Sequence, residues 1–151
     1  MTANTCPECG AAVPVGGTCR DNFYALLLLE SAIPGGPGSL AHFYAVASYG
    51  LQHPGSMNYT AEAAKGLLAA VSDSLDGRET VEDIRRRMRR QAGGTHRVTR
   101  RAGDPEVAWH CGPWPMTVAA VLSVGGEPGA YRQAVERWAR SVREALDVQL
   151  G

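Results

Sequence analysis

The sequence predicts an all-α protein, a bundle of five to six helices with a cysteine-bearing knuckle at its amino end. Three observations predict this. Apolar residues recur at helical spacing in segments separated by Gly and Pro, strand-type alternation is almost absent, and three cysteines crowd into the first nineteen residues. Hydrophobic residues make up 44% of the 151-residue chain and charged residues 20%, the proportions of a globular protein able to bury a core. The expected organisation is a single domain over residues 1–151, with the knuckle in 1–19 and the bundle in 20–151.

Each helix has its own signals. Residues 21–30 form the first, so apolar through Phe23, Leu26, Leu27, Leu28 and Leu29 that it is expected at the centre of the core. The Ile33-Pro34-Gly35-Gly36-Pro37-Gly38 stretch is a loop. Ser39 caps a second helix from 40 to about 53, stopped by Pro54-Gly55. A third runs from 61 to 75 after Thr60 and ends at Gly77. A fourth starts at Thr80, where Thr80 and Asp83 have capping-box spacing, and runs to about Gln91 before Gly93-Gly94. Residues 95–115 are irregular, with room for one short strand at 97–99. Thr117 caps a short helix over 118–124, and Gly125-Gly126-Glu127-Pro128-Gly129 breaks it. The last helix, about 130–148, places Tyr131, Val135, Trp138, Val142 and Leu146 on one face. Short connections between such helices imply a bundle.

Fifteen basic and fifteen acidic residues cancel, so net charge gives no general attraction to nucleic acid or membrane. Met1-Thr2-Ala3-Asn4-Thr5-Cys6 has neither the basic nor the apolar region of a secretory signal. The longest aliphatic run, residues 25–29, is far short of the about 20 residues a bilayer requires. The expected location is the cytoplasm. In that reducing compartment four cysteines favour metal binding over disulfides.

Cys6-Pro7-Glu8-Cys9-Gly10 is the most specific motif. Two thiolates three positions apart grip one tetrahedral ion if the backbone between them turns tightly, which the Pro and the trailing Gly favour. No second C-x-x-C follows, so Cys19 is the third ligand. Residues 1–19 hold few apolar side chains and cannot form a core alone. Structural zinc contributes on the order of 10–16 kcal/mol in finger peptides, enough to order such a segment. A redox pair lacks the preceding strand that thioredoxin-type motifs have, and disulfides or free thiols are the remaining alternatives. Zinc suits the donor set better than iron.

Geometry orders the candidates for the fourth ligand. His42 and His53 lie eleven residues apart on the second helix, on the same side but about 16 Å apart along the axis, too far to share an ion. The first helix starts at Cys19 and carries the chain about 16–18 Å away before a short loop reverses it. An antiparallel second helix then returns His53 towards Cys19. His53 is therefore the reading, against His42, His110 and Cys111. A Cys3His site is closed and structural, whereas three cysteines and a water leave an open position.

Other constellations are less specific. His42 can meet Glu30 across the antiparallel pair, and a carboxylate orienting an imidazole can do acid–base work. Tyr49, one turn before His53, supports that histidine or joins His42 and Glu30 as a third catalytic candidate. Eight arginines, Arg85, Arg86, Arg87, Arg89, Arg90, Arg97, Arg100 and Arg101, form a basic stripe. Basic residues late in a helix also complement its dipole, and no interleaved aromatics suggest base stacking. Trp109 to Pro115 is an aromatic, Pro-rich loop that caps the bundle or lines a pocket. Gly36-Pro37-Gly38-Ser39-Leu40-Ala41 fits a dinucleotide pattern formally but follows a helix, not a strand.

With these residues in hand, the chain resembles a bacterial family of unknown function. The resemblance rests on Cys6-Pro7-Glu8-Cys9-Gly10, Cys19, the helix from His42 through Tyr49 and Gln52 to His53-Pro54, the 116–122 segment and the 138–142 segment. Ala120 departs from an acidic residue expected there, which weakens the cap after Thr117. The resemblance implies a helical, metal-binding protein with no known activity, and proteins of this kind occur beside biosynthetic enzymes. Three functions follow. The first is a structural zinc protein with a binding or accessory role. The second is a metal-dependent or His-based enzyme of small-molecule biosynthesis. The third is a nucleic-acid binder using the arginine helix, the least favoured. A small molecule or a protein is the expected partner, and no membrane.

Overall fold

The computed structural model describes residues 4–92, 97–109 and 114–150. Among them are six α-helices and no strand. The helices are α1 (Cys19–Ser31), α2 (Leu40–Gln52), α3 (Ala61–Leu75), α4 (Val81–Ala92), α5 (Val118–Val124) and α6 (Pro128–Leu150), with one 3₁₀ turn at Gly36–Gly38. The expected helical bundle is the observed fold. Helix boundaries obey local chemistry. Ser39 Oγ accepts from the His42 amide and Thr60 Oγ1 from the Ala63 amide, each satisfying an amide that a helix start leaves unpaired. Thr80 and Asp83 form the reciprocal capping box, with Asp83 accepting at 3.0 Å from the Thr80 amide and the Thr80 hydroxyl accepting in return from the Asp83 amide. Thr117 precedes α5 without a side-chain cap bond, and Ala120, three residues on, has no carboxylate to return one.

The core lies between α2 and α6. α3 lies against both, and α5 joins α6 to α1. Tyr131, Val135, Trp138, Val142 and Leu146 on α6 are fully buried, each contributing roughly 1.5–3 kcal/mol by leaving water. The buried residues of α2 include Ala45, Ala47, Ser48 and Gly50, small enough for close approach. At Gly50 the close neighbour is the loop after α2: a Cβ there would meet the Tyr59 hydroxyl at 2.8 Å.

One sequence expectation changes. α1 is not central. It buries Cys19, Leu26 and Glu30 but leaves Tyr24 56% and Leu28 75% exposed. Four consecutive leucines cover every side of a helix with 3.6 residues per turn, so the run says nothing about which side is covered. The central element is α2. At 97–99, where the sequence leaves room for one short strand at most, lies an isolated antiparallel bridge between Thr99 and Tyr59, flanked by Thr60 N–H to Val98 O and Arg100 N–H to Asn58 O at 2.8 Å each. No described helix is long and apolar enough to cross a membrane.

Candidate metal centre

The knuckle is built from backbone geometry. The Cys6 amide donates to Ala11 O and the Gly10 amide to Cys6 O, both at 2.8 Å, and an antiparallel bridge joins Thr5 to Ala12. Gly10 closes the turn at φ +85°, a conformation that side chains disfavour. This fold aims amides at the sulfurs: Cys9 N–H lies 3.5 Å from Cys6 Sγ, and Ala11 N–H lies 3.4 Å from Cys9 Sγ. The Ala11 amide so placed favours the Cys9 thiolate. Cys19 is the first residue of α1, where the positive end of the helix dipole does the same. Asn22 ties this end to the knuckle by donating to Ala12 O at 2.9 Å, with Cys19 Sγ 3.8 Å from the same nitrogen.

α2 delivers the fourth group. His53 ends that helix, is 1% exposed, and donates from Nδ1 to the Tyr49 carbonyl at 2.7 Å. That bond fixes Nε2 as the bare nitrogen, and Nε2 lies 3.5 Å from Cys6 Sγ. The Tyr49 ring stacks on the imidazole at 3.9 Å between centroids, and Phe23 stacks on Tyr49 at 4.2 Å.

Ligand atoms of Cys6, Cys9, Cys19 and His53, all buried, lie within 4.8 Å of one another. These residues fit a metal ion. A tetrahedral zinc, bonded at about 2.3 Å to sulfur and about 2.0–2.1 Å to nitrogen, sets S···S edges of about 3.8 Å and S···N edges of about 3.5 Å. The Cys9–Cys19 sulfurs are 3.7 Å apart and the Cys6–His53 edge is 3.5 Å. A disulfide needs about 2.05 Å, and all three cysteines are free thiols. Cys9 and Cys19 are hydrogen-bonded to each other. That hydrogen bond pushes the Cys9 thiol up and, with His53 helping, holds the Cys19 thiol below its ordinary range.

Residues around this cluster that sequence reasoning missed hold it in place. Glu8, between the first two cysteines, accepts at 3.0 Å from the Gly55 and Ser56 amides and also from the Ser56 hydroxyl, fastening the knuckle to the turn after His53. Trp114 donates to Glu8 O, and Trp109 to Leu51 O. Gln52 is buried beside His53, donating to Met116 O at 2.7 Å and accepting from Trp138 Nε1 at 3.2 Å. Trp109 and Trp114 thus meet the knuckle end of the bundle from the two sides of the aromatic loop. Its His110 and Cys111, the other fourth-ligand candidates, lie outside the described residues.

His42 sits at the opposite end of α2. Its Nδ1 meets Glu30 Oε2 at 2.5 Å, and Glu30 Oε1 accepts from the Tyr131 hydroxyl at 2.6 Å. The pair read from sequence is therefore in contact, and Tyr131 is an unforeseen third member. Burial, then the Glu30 carboxylate, hold the Tyr131 phenol well above its ordinary range. Tyr49, the third catalytic candidate, belongs to the metal end instead, because it lies two helical turns from His42 and stacks on His53. Burial first, then the nearby thiols, push its phenol up as well, which makes it a poor acid. Among the arginines, Arg86 pairs with Asp83, Arg87 with Asp73 and Glu79, Arg97 with Asp104, and Arg100 with Glu106.

The family model that matches this chain is described as a family of unknown function, DUF5946, and it spans residues 4–147. No curated protein and no solved structure matches the chain significantly. With nearly the whole chain inside that match, the knuckle and His53 included, the protein belongs to the DUF5946 family.

Proposed function

We propose that this is a zinc-binding helical protein whose ion is structural, tying the knuckle to α1 and α2 within a single domain, and whose role is binding or accessory. The observation that carries this reading is the buried set of four protein donors within 4.8 Å of one another, with two edges at the lengths a tetrahedral zinc sets. Four protein ligands close the shell, as in structural rather than catalytic sites. Mixed thiolate and imidazole donors suit zinc, and free thiols suit a reducing cytoplasm. Native mass spectrometry with elemental analysis tests it. One zinc per chain is expected, lost on Cys9→Ser with helices α2 and α6 retained. A metal-free protein with protected amides at residues 4–18 overturns it, and iron in place of zinc overturns the metal's identity.

A second reading, a His-based enzyme acting on small molecules, is favoured by one observation: Tyr131, Glu30 and His42 form a continuous hydrogen-bonded chain. Nδ1 committed to a carboxylate leaves Nε2 as the working nitrogen, the arrangement of an oriented general base. Long-range 1H–15N spectra of the neutral His42 ring test it, with the proton expected on Nδ1. A proton on Nε2 removes the base. Nucleic-acid binding is the weakest reading, because four of the eight stripe arginines are engaged with carboxylates.

A further inference from the structure

Between α2, α3 and α4 lies an open cleft of about 190 Å³. Its walls are apolar, from Phe43 and Val46 on α2, Leu67 on α3, and Ile84 and Met88 on α4. Three polar side chains also line it, Ser39, His42 and Arg85. Arg85 differs from its neighbours on α4. Arg86 and Arg87 are each held by carboxylates, whereas among the described residues no carboxylate pairs with Arg85. Its guanidinium instead lies across the loop before α2, where a Cβ on Gly38 would fall 2.3 Å from Nη2. The missing side chain at Gly38 is what lets the group rest there. Ser39 and the amino end of α2 border the same cleft, adding the positive end of a helix dipole.

We propose that this cleft binds a small monocarboxylic acid with a short apolar body, its carboxylate on Arg85 and its body between Phe43, Val46, Leu67 and Met88. A planar guanidinium matches a carboxylate bidentately, and half-burial among apolar side chains strengthens such a bond. The volume lies below the about 300 Å³ at which drug-sized sites begin, which restricts the ligand to a short body. His42 faces the same space, held from behind by Glu30, so the site places an oriented imidazole beside the bound acid. The inference deepens the second reading above by naming its ligand class. It is independent of the metal cluster, which occupies the other end of α2.

Titration of the intact, metal-loaded protein with hexanoate, followed by methyl NMR, tests it. Saturable shifts of the Val46, Leu67 and Met88 methyls are expected. Arg85→Gln is expected to weaken hexanoate by roughly tenfold or more, the loss of a charge-assisted hydrogen bond. Arg85→Lys, which keeps the charge without the fork, weakens it less. Hexanol binds more weakly and is indifferent to Arg85→Gln, and Leu67→Trp, which fills the cleft, abolishes both. Methyls that hexanoate leaves unmoved, or equal hexanoate affinity in Arg85→Gln and the unaltered protein, overturn the proposal. Unmoved methyls with the proton still on His42 Nδ1 sink the ligand class alone, whereas a proton on Nε2 sinks the enzyme reading.

Discussion

The two ends of α2 each present a histidine, and they differ in what holds Nδ1. At the carboxyl end, His53 gives its Nδ1 proton to a carbonyl of its own helix and is sealed from solvent, 1% exposed. At the amino end, His42 gives Nδ1 to the Glu30 carboxylate and its side chain is 27% exposed. A carbonyl partner takes the Nδ1 proton and turns Nε2 toward the thiols, which is the orientation a metal ligand needs. A carboxylate partner orients the ring and leaves Nε2 as the nitrogen turned outward, which is what a group exchanging protons needs. One residue type on one helix is thus directed to two chemistries by the partner behind the ring.

The sharpest way to break this comparison is to remove each ring. His53→Ala takes away one of four converging donors. It is expected to lower zinc affinity by more than the roughly 10–100-fold typical of losing an outer-shell partner. Residues 4–18 should then lose amide-exchange protection while the α6 core keeps it. His42→Ala is expected to retain one zinc per chain with unchanged affinity. Competition against a chromophoric chelator measures both. Equal losses in the two variants would mean that the ends of α2 are not chemically separate.

Much of this arrangement was legible in the sequence, and the reasons differ by residue. The C-x-x-C spacing and the trailing Gly10 specify a local turn, so Cys6 and Cys9 needed no tertiary information. Bringing Cys19 and His53 together needed only helix rise and a chain reversal at the Pro- and Gly-rich loop. The burial of α6 followed from its spacing, but the same pattern hid Tyr131, whose hydroxyl reaches Glu30 from a position that reads as core. Glu8 was invisible because its partners are main-chain amides 47 and 48 residues away, and amides carry no sequence signature. The α1 leucine run misled for the opposite reason, since an all-round apolar helix needs its neighbours known before its buried face can be named.

Glu30 sharpens the comparison from the other end. Its carboxylate is buried and doubly bonded, so Glu30→Leu strands the Tyr131 hydroxyl in the core and frees His42 to solvent. The expected cost is about 2–3 kcal/mol in urea denaturation, mostly the orphaned hydroxyl, with zinc content unchanged. Adding Tyr131→Phe to Glu30→Leu should recover roughly 1 kcal/mol or more, because the stranded group is then gone. No recovery would mean that the phenol finds another partner and that the three groups do not act as a chain. Glu8→Ala makes the matching cut at the metal end. Losing the clasp on the Gly55–Ser56 turn is expected to quicken zinc release by roughly tenfold, as outer-shell partners do, with global stability lowered by only about 1 kcal/mol. An unchanged release rate would mean that the four ligands position themselves without it.

The smallest effect tests whether the ends of α2 are insulated from each other through the helix itself. Ser39 Oγ accepts the His42 amide at 3.1 Å, so Ser39→Ala removes one cap bond at the His42 end and nothing at the other. A lost cap costs about 1 kcal/mol and frays the first turn, where His42 resides. The His42 side-chain resonances should broaden or shift, while zinc affinity and the exchange protection of residues 49–53 stay constant. The middle of α2 explains why. Tyr44, Ala45, Ala47 and Ser48 are buried in the core, and fraying does not propagate through a packed turn. A fall in zinc affinity on Ser39→Ala would mean that α2 moves as one lever. The two histidines would then be coupled rather than merely carried on the same element.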